Sequence, residues 1–378
     1  MRRWDIFCKI VDNFGDIGVC WRLTKQLEHE HGINVRLWID DLNVARQLIP
    51  SLDCSQRTQL IDNITIAAWD ADTLFEQTAD VVIEAFSCEL PESYLRLMQP
   101  DNIWINLEYL SAERWVEGFH ARNSKRGNLT RHFFFPGFTQ ATGGLLREHD
   151  IVENNQKIAS DEQLQSDFFR QFNLNPDDDS TALKISLFSY PHAPIRDLLS
   201  AMADSATRIS CYAPATNILP KIAAFFGKKS IAAGDHLRRN NLTLHVLPFL
   251  NQADYDKLLA SCDINFVRGE DSWIRAIWAN KPFIWQPYWQ TEDTHLIKLK
   301  AFLDVFYSGC EDTAKQAAIT LNNTWASEQL SSLTWQNYLR NISTLKTFTA
   351  QQTSALASPP SLTTNLVIYI EKLHHNKI

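Results

Sequence analysis

The chain has 378 residues, which suggests two or three domains, and its 45% apolar content excludes a disordered polypeptide. A formal net charge of −8 excludes a broad nucleic-acid footprint. No stretch reaches the roughly 18 apolar residues of a membrane span, and Met1 to Asp5 do not open a signal peptide, so no membrane partner is expected and the cytoplasm is the expected compartment.

In chain order, residues 4–11 read as a buried strand and residues 19–31 as a helix. In that helix Val19, Leu23 and Leu27 recur at every fourth position, and Gly32 supplies a stop. Strands are predicted at 35–39, 64–69, 81–86 and 103–107, with helices at 92–98 and 112–119. Strands alternating with helices imply βαβ units and a parallel sheet. After Gly144 the chain turns polar, and residues 147–182 hold one predicted helix, 163–172, and the run Asp177-Asp178-Asp179. The alternation then resumes, with strands at 184–188, 208–212, 242–247, 264–267 and 283–285. Helices are predicted at 195–203, 255–261, 272–279 and 295–302, followed by a helical tail over 327–350 and a last helix over 366–373. The domain plan is a Rossmann-like domain over 1–160, a linker over 161–182, a second Rossmann-like domain over 183–360, and a C-terminal helix over 361–378 returning to the first domain. The seven scattered cysteines, odd in number and without a CxxC pair, read as reduced buried thiols and argue against a metal site.

Ligands of such folds bind at loops that follow strands. The first such loop holds Asp12, Asn13, Phe14, Gly15 and Asp16. Glycine lets backbone N–H groups approach a ligand, a helix start favours an anion, and two carboxylates suit general-base work. The other reading of Asp16 is a helix cap. No GxGxxG fingerprint is present, which argues against a nicotinamide oxidoreductase. A second loop, Arg268-Gly269-Glu270-Asp271-Ser272, ends a strand and opens a helix. Its free N–H groups, the Ser272 hydroxyl and the Arg268 cation would receive a phosphate, or Asp271 and Ser272 are an ordinary cap. Glu270 and Asp271 would repel a phosphate unless turned to sugar hydroxyls. Phe188 and Tyr190 end another strand and could stack on a base or bond a phosphate, although Phe188 also suits a core. Phe249 could stack on a base and Gln252 bond its edge; loop polarity explains Gln252 equally well. His29, His31 and His295 read as surface histidines, and residues 133–138 as core or as a site wall.

Five segments carry a family resemblance: residues 10–23 (IVDNFGDIGVCWRL), 84–91 (EAFSCELP), 107–113 (LEYLSAE), 135–138 (FPGF) and 266–272 (FVRGEDS). In this order and across nearly the whole chain they resemble the bacterial elongation factor P arginine rhamnosyltransferases (EarP). The resemblance implies an α/β GT-B fold, two Rossmann-like domains facing across a central cleft, with the acceptor on the first and the nucleotide sugar on the second. It implies an inverting hexosyltransferase that moves rhamnose from dTDP-β-L-rhamnose to a guanidino nitrogen of an arginine in elongation factor P, without a metal or other cofactor. Asp16 then matches the general base, with Asp12 nearby, and Glu270 a second catalytic carboxylate. Phe188, Tyr190, Gln252, Arg268, Asp271 and Ser272 match the donor-binding set, and Asn13, Phe14 and Gly15 approach the sugar and diphosphate. The acidic loops 87–92 and 108–113 would draw in basic residues of the acceptor, or are solvated loops. The alternative is a nucleotide-sugar-dependent glycosyltransferase acting on a small molecule or glycan, which would share the donor site. A binding module without turnover has no use for two site carboxylates.

Overall fold

The computed structural model describes residues 3–12, 14–174 and 181–375, so Asn13 and the run Asp177 to Asp179 lie outside the described residues. The chain divides into two units, Met1–His149 with Leu356–Ile378, and Asp150–Ala355.

In the first unit the strands are β1 (Arg3–Cys8), β2 (Asn34–Ile39), β3 (Thr58–Ile61), β4 (Ile64–Ala68), β5 (Val81–Ala85), β6 (Ile103–Leu107), β7 (Asn123–Arg126) and β8 (Leu129–Phe134). Their order in the sheet is β3-β4-β2-β1-β5-β6-β8-β7. Strands β4 to β8 of that order run parallel, and β3 and β7 close the two edges as antiparallel hairpins. Parallel strands covered on both faces read as continuous apolar runs. Every residue of Val81–Ala85 and Ile103–Leu107 is buried accordingly. The edge strand β7, Asn-Ser-Lys-Arg, is too short and polar to show a strand period, which is why the sequence conceals it; such edges resist pairing with other chains. Because β1 has β2 on one side and β5 on the other, the chain leaves β1 where the strand order reverses, the place at which α/β sheets bind ligands.

The second unit holds β9 (Leu183–Leu187), β10 (Ile209–Pro214), β11 (His236–Arg239), β12 (Leu242–Leu247), β13 (Ile264–Arg268) and β14 (Phe283–Gln286), in the order β11-β12-β10-β9-β13-β14. All pairs are parallel except the β11–β12 hairpin. Here β9 occupies the reversal, between β10 and β13. The register pairs Leu187 with Phe266 and Arg268 with Gln286, so the segments after β9 and β13 leave the sheet side by side.

Several elements differ from expectation. The polar stretch 147–182 contains two helices, Ile151–Ser160 and Glu162–Arg170, rather than one. The first escapes periodicity because its core-facing residue is polar: buried Asn155 donates from Nδ2 to the Trp278 carbonyl at 3.0 Å. Asp161 caps the second, accepting N–H from Gln163 and Leu164. An unpredicted helix, Asp312–Ala326, is rich in alanine and carries little apolar contrast. His295 is buried and stacks on Trp289 at 5.6 Å, in place of the expected surface position. None of the seven cysteines is in a disulfide, and six of them are buried. Among the described residues no helix is long and apolar enough to cross a membrane.

The C-terminal helix Leu362–His375 belongs to the first unit, and the buried amide of Gln26 ties it there. Gln26 Nε2 donates to the Arg147 carbonyl at 2.6 Å, and its Oε1 accepts the Thr363 hydroxyl at 2.5 Å. Farther along the helix, the Tyr369 hydroxyl lies 3.2 Å from His132 Nδ1. Gln26→Ala strands these buried groups and is expected to lower unfolding stability by about 1–3 kcal/mol. Urea denaturation checks this, and an unchanged midpoint would show that the amide does not hold the tail.

Candidate active site

The helix Gly15–His31 begins four residues before its predicted start, which places Asp16 inside the first turn. Its N-cap is Phe14, with no side-chain cap bond, so Asp16 is not the cap residue. At 1% exposure its carboxylate is buried, and the chain supplies its donors. Oδ2 accepts the N–H of Val11 at 2.7 Å and of Asp12 at 2.8 Å, while Oδ1 accepts the Tyr109 hydroxyl at 3.0 Å. The positive end of the helix dipole favours the charge as well. At Gly15 the N–H donates to the Asp12 carbonyl at 2.7 Å, and a Cβ there would lie 2.8 Å from Asp12 Oδ2, so a side chain at this position would push the Asp12 carboxylate aside. Asp12 and Phe14 are half-buried beside it.

Two further loops complete this side of the first unit. After β5 the backbone is left-handed at Phe86 (φ 57°), Ser87 (φ 54°) and Glu89 (φ 60°), none of them glycine. Such positions cost about 1–3 kcal/mol each and persist only where their surroundings enforce them. Buried Glu84 does so, accepting the Glu89 N–H and the Trp104 indole N–H, both at 3.0 Å, with Arg131 at 3.5 Å. Asn106 holds Ser87 through a 3.1 Å bond and also donates to Glu108. Burial pushes the Glu108 carboxyl up from its ordinary pKa. The Phe86 ring stacks on Tyr109 at 4.3 Å and 11°. Sequence reasoning quoted both loops and gave them only a docking role, missing Tyr109. No spacing rule brings residues 86 and 109 together; the β5–β6 register, Ala85 opposite Leu107, does.

In the second unit Arg268 ends β13 at 6% exposure. Its guanidinium lies 4.6 Å from the Phe188 ring centre and 4.4 Å from that of Tyr190, a cation held by two aromatic rings. Phe188 packs edge-on against Tyr255 at 5.4 Å, and the Tyr190 N–H donates to Gln286 Oε1 at 2.9 Å. Arg268 Nε and Nη1 are buried with no acceptor among the described residues, as are the Ser189 hydroxyl and the Gln286 amide nitrogen. A buried guanidinium with unanswered donors is suited to an anion. Ser189 and Gln286 were not predicted; Gln286 lies opposite Arg268 in the β13–β14 register, and Ser189 stands between Phe188 and Tyr190 in the chain.

Gly269 turns the chain with φ 63° and its N–H donates to the Gln286 carbonyl, after which the helix Asp271–Trp278 opens. The Ser272 hydroxyl, expected to reach a phosphate, is turned back on the chain. It accepts the Arg268 N–H at 3.0 Å and donates to the Arg268 carbonyl, clamping the turn. Gln252 Nε2 bonds Asp271 Oδ2 at 3.3 Å. Glu270 is half-buried at the N-cap position without a side-chain cap bond, and Phe249 is half-buried after β12. The structure therefore gathers Phe188, Tyr190, Arg268 and Ser272 into one cluster, links Gln252 to Asp271, and joins Asp16 to the residue 11–12 backbone and Tyr109.

The sequence profile of the family described as Elongation-Factor P (EF-P) rhamnosyltransferase EarP matches residues 4–371. The chain belongs to the EarP family. A protein-arginine rhamnosyltransferase of Pseudomonas putida is 40% identical over 369 residues, covering 96% of this chain and 97% of the relative. One of Pseudomonas aeruginosa is 41% identical over 313 residues, covering 82% and 83%. A solved structure described as the basis for EarP-mediated arginine glycosylation of translation elongation factor EF-P superposes with a TM-score of 0.72 at 30% identity, covering 98% of this chain and 99% of that one. Acinetobacter baumannii MurG, at 12% identity and a TM-score of 0.51, shares the fold alone. Both Rossmann-like units of the chain are thus those of a GT-B glycosyltransferase, and the EarP family is one of rhamnosyltransferases.

Ser272→Ala removes the acceptor of a buried backbone N–H and is expected to cost about 1–3 kcal/mol of stability. Thermal or urea unfolding of the variant checks the clamp, and wild-type stability would dismiss it.

Proposed function

We propose that the protein is an inverting protein-arginine rhamnosyltransferase, moving rhamnose from dTDP-β-L-rhamnose to a guanidino nitrogen of an arginine in elongation factor P. The observation that carries this reading is the buried Arg268 guanidinium, with two nitrogens whose N–H groups have no acceptor among the described residues, between Phe188 and Tyr190. A diphosphate answers it, together with the N–H groups that open the helix Asp271–Trp278. Ser272 contributes by fixing the Arg268 turn. Phe188, Tyr190, Phe249 and Gln252 take the nucleotide in this reading, and Asp271 and Glu270 the sugar hydroxyls or the incoming guanidinium. Phe14 and Gly15, with Asp12, take the sugar in this reading, and the resemblance assigns Asn13 the same role. The relatives named protein-arginine rhamnosyltransferase support the acceptor chemistry, and the description of the solved EarP structure supports elongation factor P as acceptor.

The reaction is a single displacement. The guanidino nitrogen attacks the anomeric carbon on the face opposite the diphosphate, and the bond to the diphosphate oxygen breaks with its electron pair, so configuration inverts. A guanidinium has a pKa above about 12 and a free carboxylate one near ~4. Deprotonation before attack would be uphill by roughly eight units, or about 11 kcal/mol. Asp16 therefore orients one N–H and takes its proton as the C–N bond forms. Charge balances: carboxylate becomes acid, the glycosylated guanidinium keeps its positive charge, and the diphosphate gains one negative charge. Arg268 and the helix N–H groups stabilise that gain in place of a metal.

Intact mass of elongation factor P after incubation with this protein and dTDP-rhamnose is expected to rise by one deoxyhexose, and to do so equally in EDTA; an unmodified factor refutes the reading. Asp16→Asn can keep its three contacts, with the amide oxygen toward the two N–H groups and the amide nitrogen toward Tyr109. It is expected to fold, to bind dTDP as wild type does, and to lose roughly 10²–10⁴-fold in turnover. Near-normal turnover would reject Asp16 as the base.

A further inference from the structure

The two oxygens of Asp16 are not equivalent. Oδ2 accepts two N–H groups, from Val11 and Asp12, one for each of its two lone pairs. Oδ1 accepts one hydroxyl, that of Tyr109 at 3.0 Å, which leaves one lone pair without a partner among the described residues. The geometry points to Oδ1 as the atom that takes the substrate proton, and to Tyr109 as the positioning residue that aims it; this rests on the reading of Asp16 as general base. Tyr109 itself keeps its proton throughout: the transferred proton goes from the guanidino nitrogen to Oδ1 while the C–N bond forms and the C–O bond to the diphosphate breaks.

A ring that is 38% exposed is not held by burial, so something else must fix the phenol. Phe86 does, covering one face of the ring in a near-parallel stack of 4.3 Å. Phe86 is in turn held in a left-handed backbone conformation that an ordinary loop would relax. The loop cannot relax because Glu84 and Asn106, on the neighbouring strands β5 and β6, bond Glu89 and Ser87. The chain of cause runs from buried Glu84 and Asn106, through the strained residues 86–89 and the stack, to the Tyr109 hydroxyl and Asp16 Oδ1. Strain maintained at a loop that touches a buried carboxylate fits preorganisation of that group. It also gives the segments 84–91 and 107–113 a task in the chemistry.

Tyr109→Phe keeps the stack and removes only the hydroxyl. Its kcat with elongation factor P is expected to fall roughly 10- to 100-fold, the size of a hydrogen bond to a charged group, with the donor KM unchanged. In an Asp16→Asn background the same change should add no further loss, since the residue acts through Asp16. Phe86→Leu, which keeps the hydroxyl and loses the stack, should lower kcat in the same direction by a smaller factor. Wild-type kcat in Tyr109→Phe, an equal loss in the Asp16→Asn background, or a raised donor KM at full kcat would each overturn the proposal while leaving Asp16 as base. Near-normal turnover of Asp16→Asn alone removes the general-base reading, and this proposal with it.

Discussion

Asp16 is a carboxylate at 1% exposure, and a buried charge without donors would neutralise or destabilise the fold by several kcal/mol. Much of the local architecture of the first unit answers that demand. The chain after β1 folds back so that two successive N–H groups, of Val11 and Asp12, meet one oxygen. Gly15 leaves room for the Asp12 carboxylate, which a side chain there would displace. Tyr109 supplies the last donor, and the strained residues 86–89 hold Tyr109. A carboxylate so well supplied is held in place, which fits the general-base role proposed for it.

The second unit solves a different problem with a charge of opposite sign. Arg268 is buried, its backbone is clamped by Ser272, and two aromatic rings flank the guanidinium. Its Nε and Nη1 have no acceptor among the described residues. The carboxylate of the first unit is satisfied by its own chain; the guanidinium of the second is supported and left with donors to spare. The first arrangement fits a group that must be aimed, the second a group that must grip an anion.

Much of this was legible in the sequence, for reasons that can be named. The apolar runs of β1, β5, β6, β9 and β13 stand out because parallel strands bury both faces. The acidic glycine-containing loop after β1 and the Arg-Gly-Glu-Asp-Ser turn after β13 stand out because each breaks such a run. What stayed hidden had no local signature. The edge strands β3 and β7 have only four residues each, the helix Ile151–Ser160 turns an asparagine to the core, and His295 is buried with its ring stacked on Trp289. The Ser272 hydroxyl could be placed by sequence at a helix start, but its orientation depends on the turn at Gly269, which sends it back to Arg268.

The sequence by itself determined the α/β class, the strands that lead into the candidate site, and the identity of the charged groups at their ends, because hydrophobic periodicity and loop composition are local properties. Tertiary structure alone decided which oxygens of Asp16 are engaged, that Tyr109 and not a neighbouring residue meets one of them, and that Phe188 and Tyr190 converge on Arg268. Those pairings join residues 93 positions apart in one case and strands out of chain order in the other, and they are fixed by sheet register, which no single segment encodes.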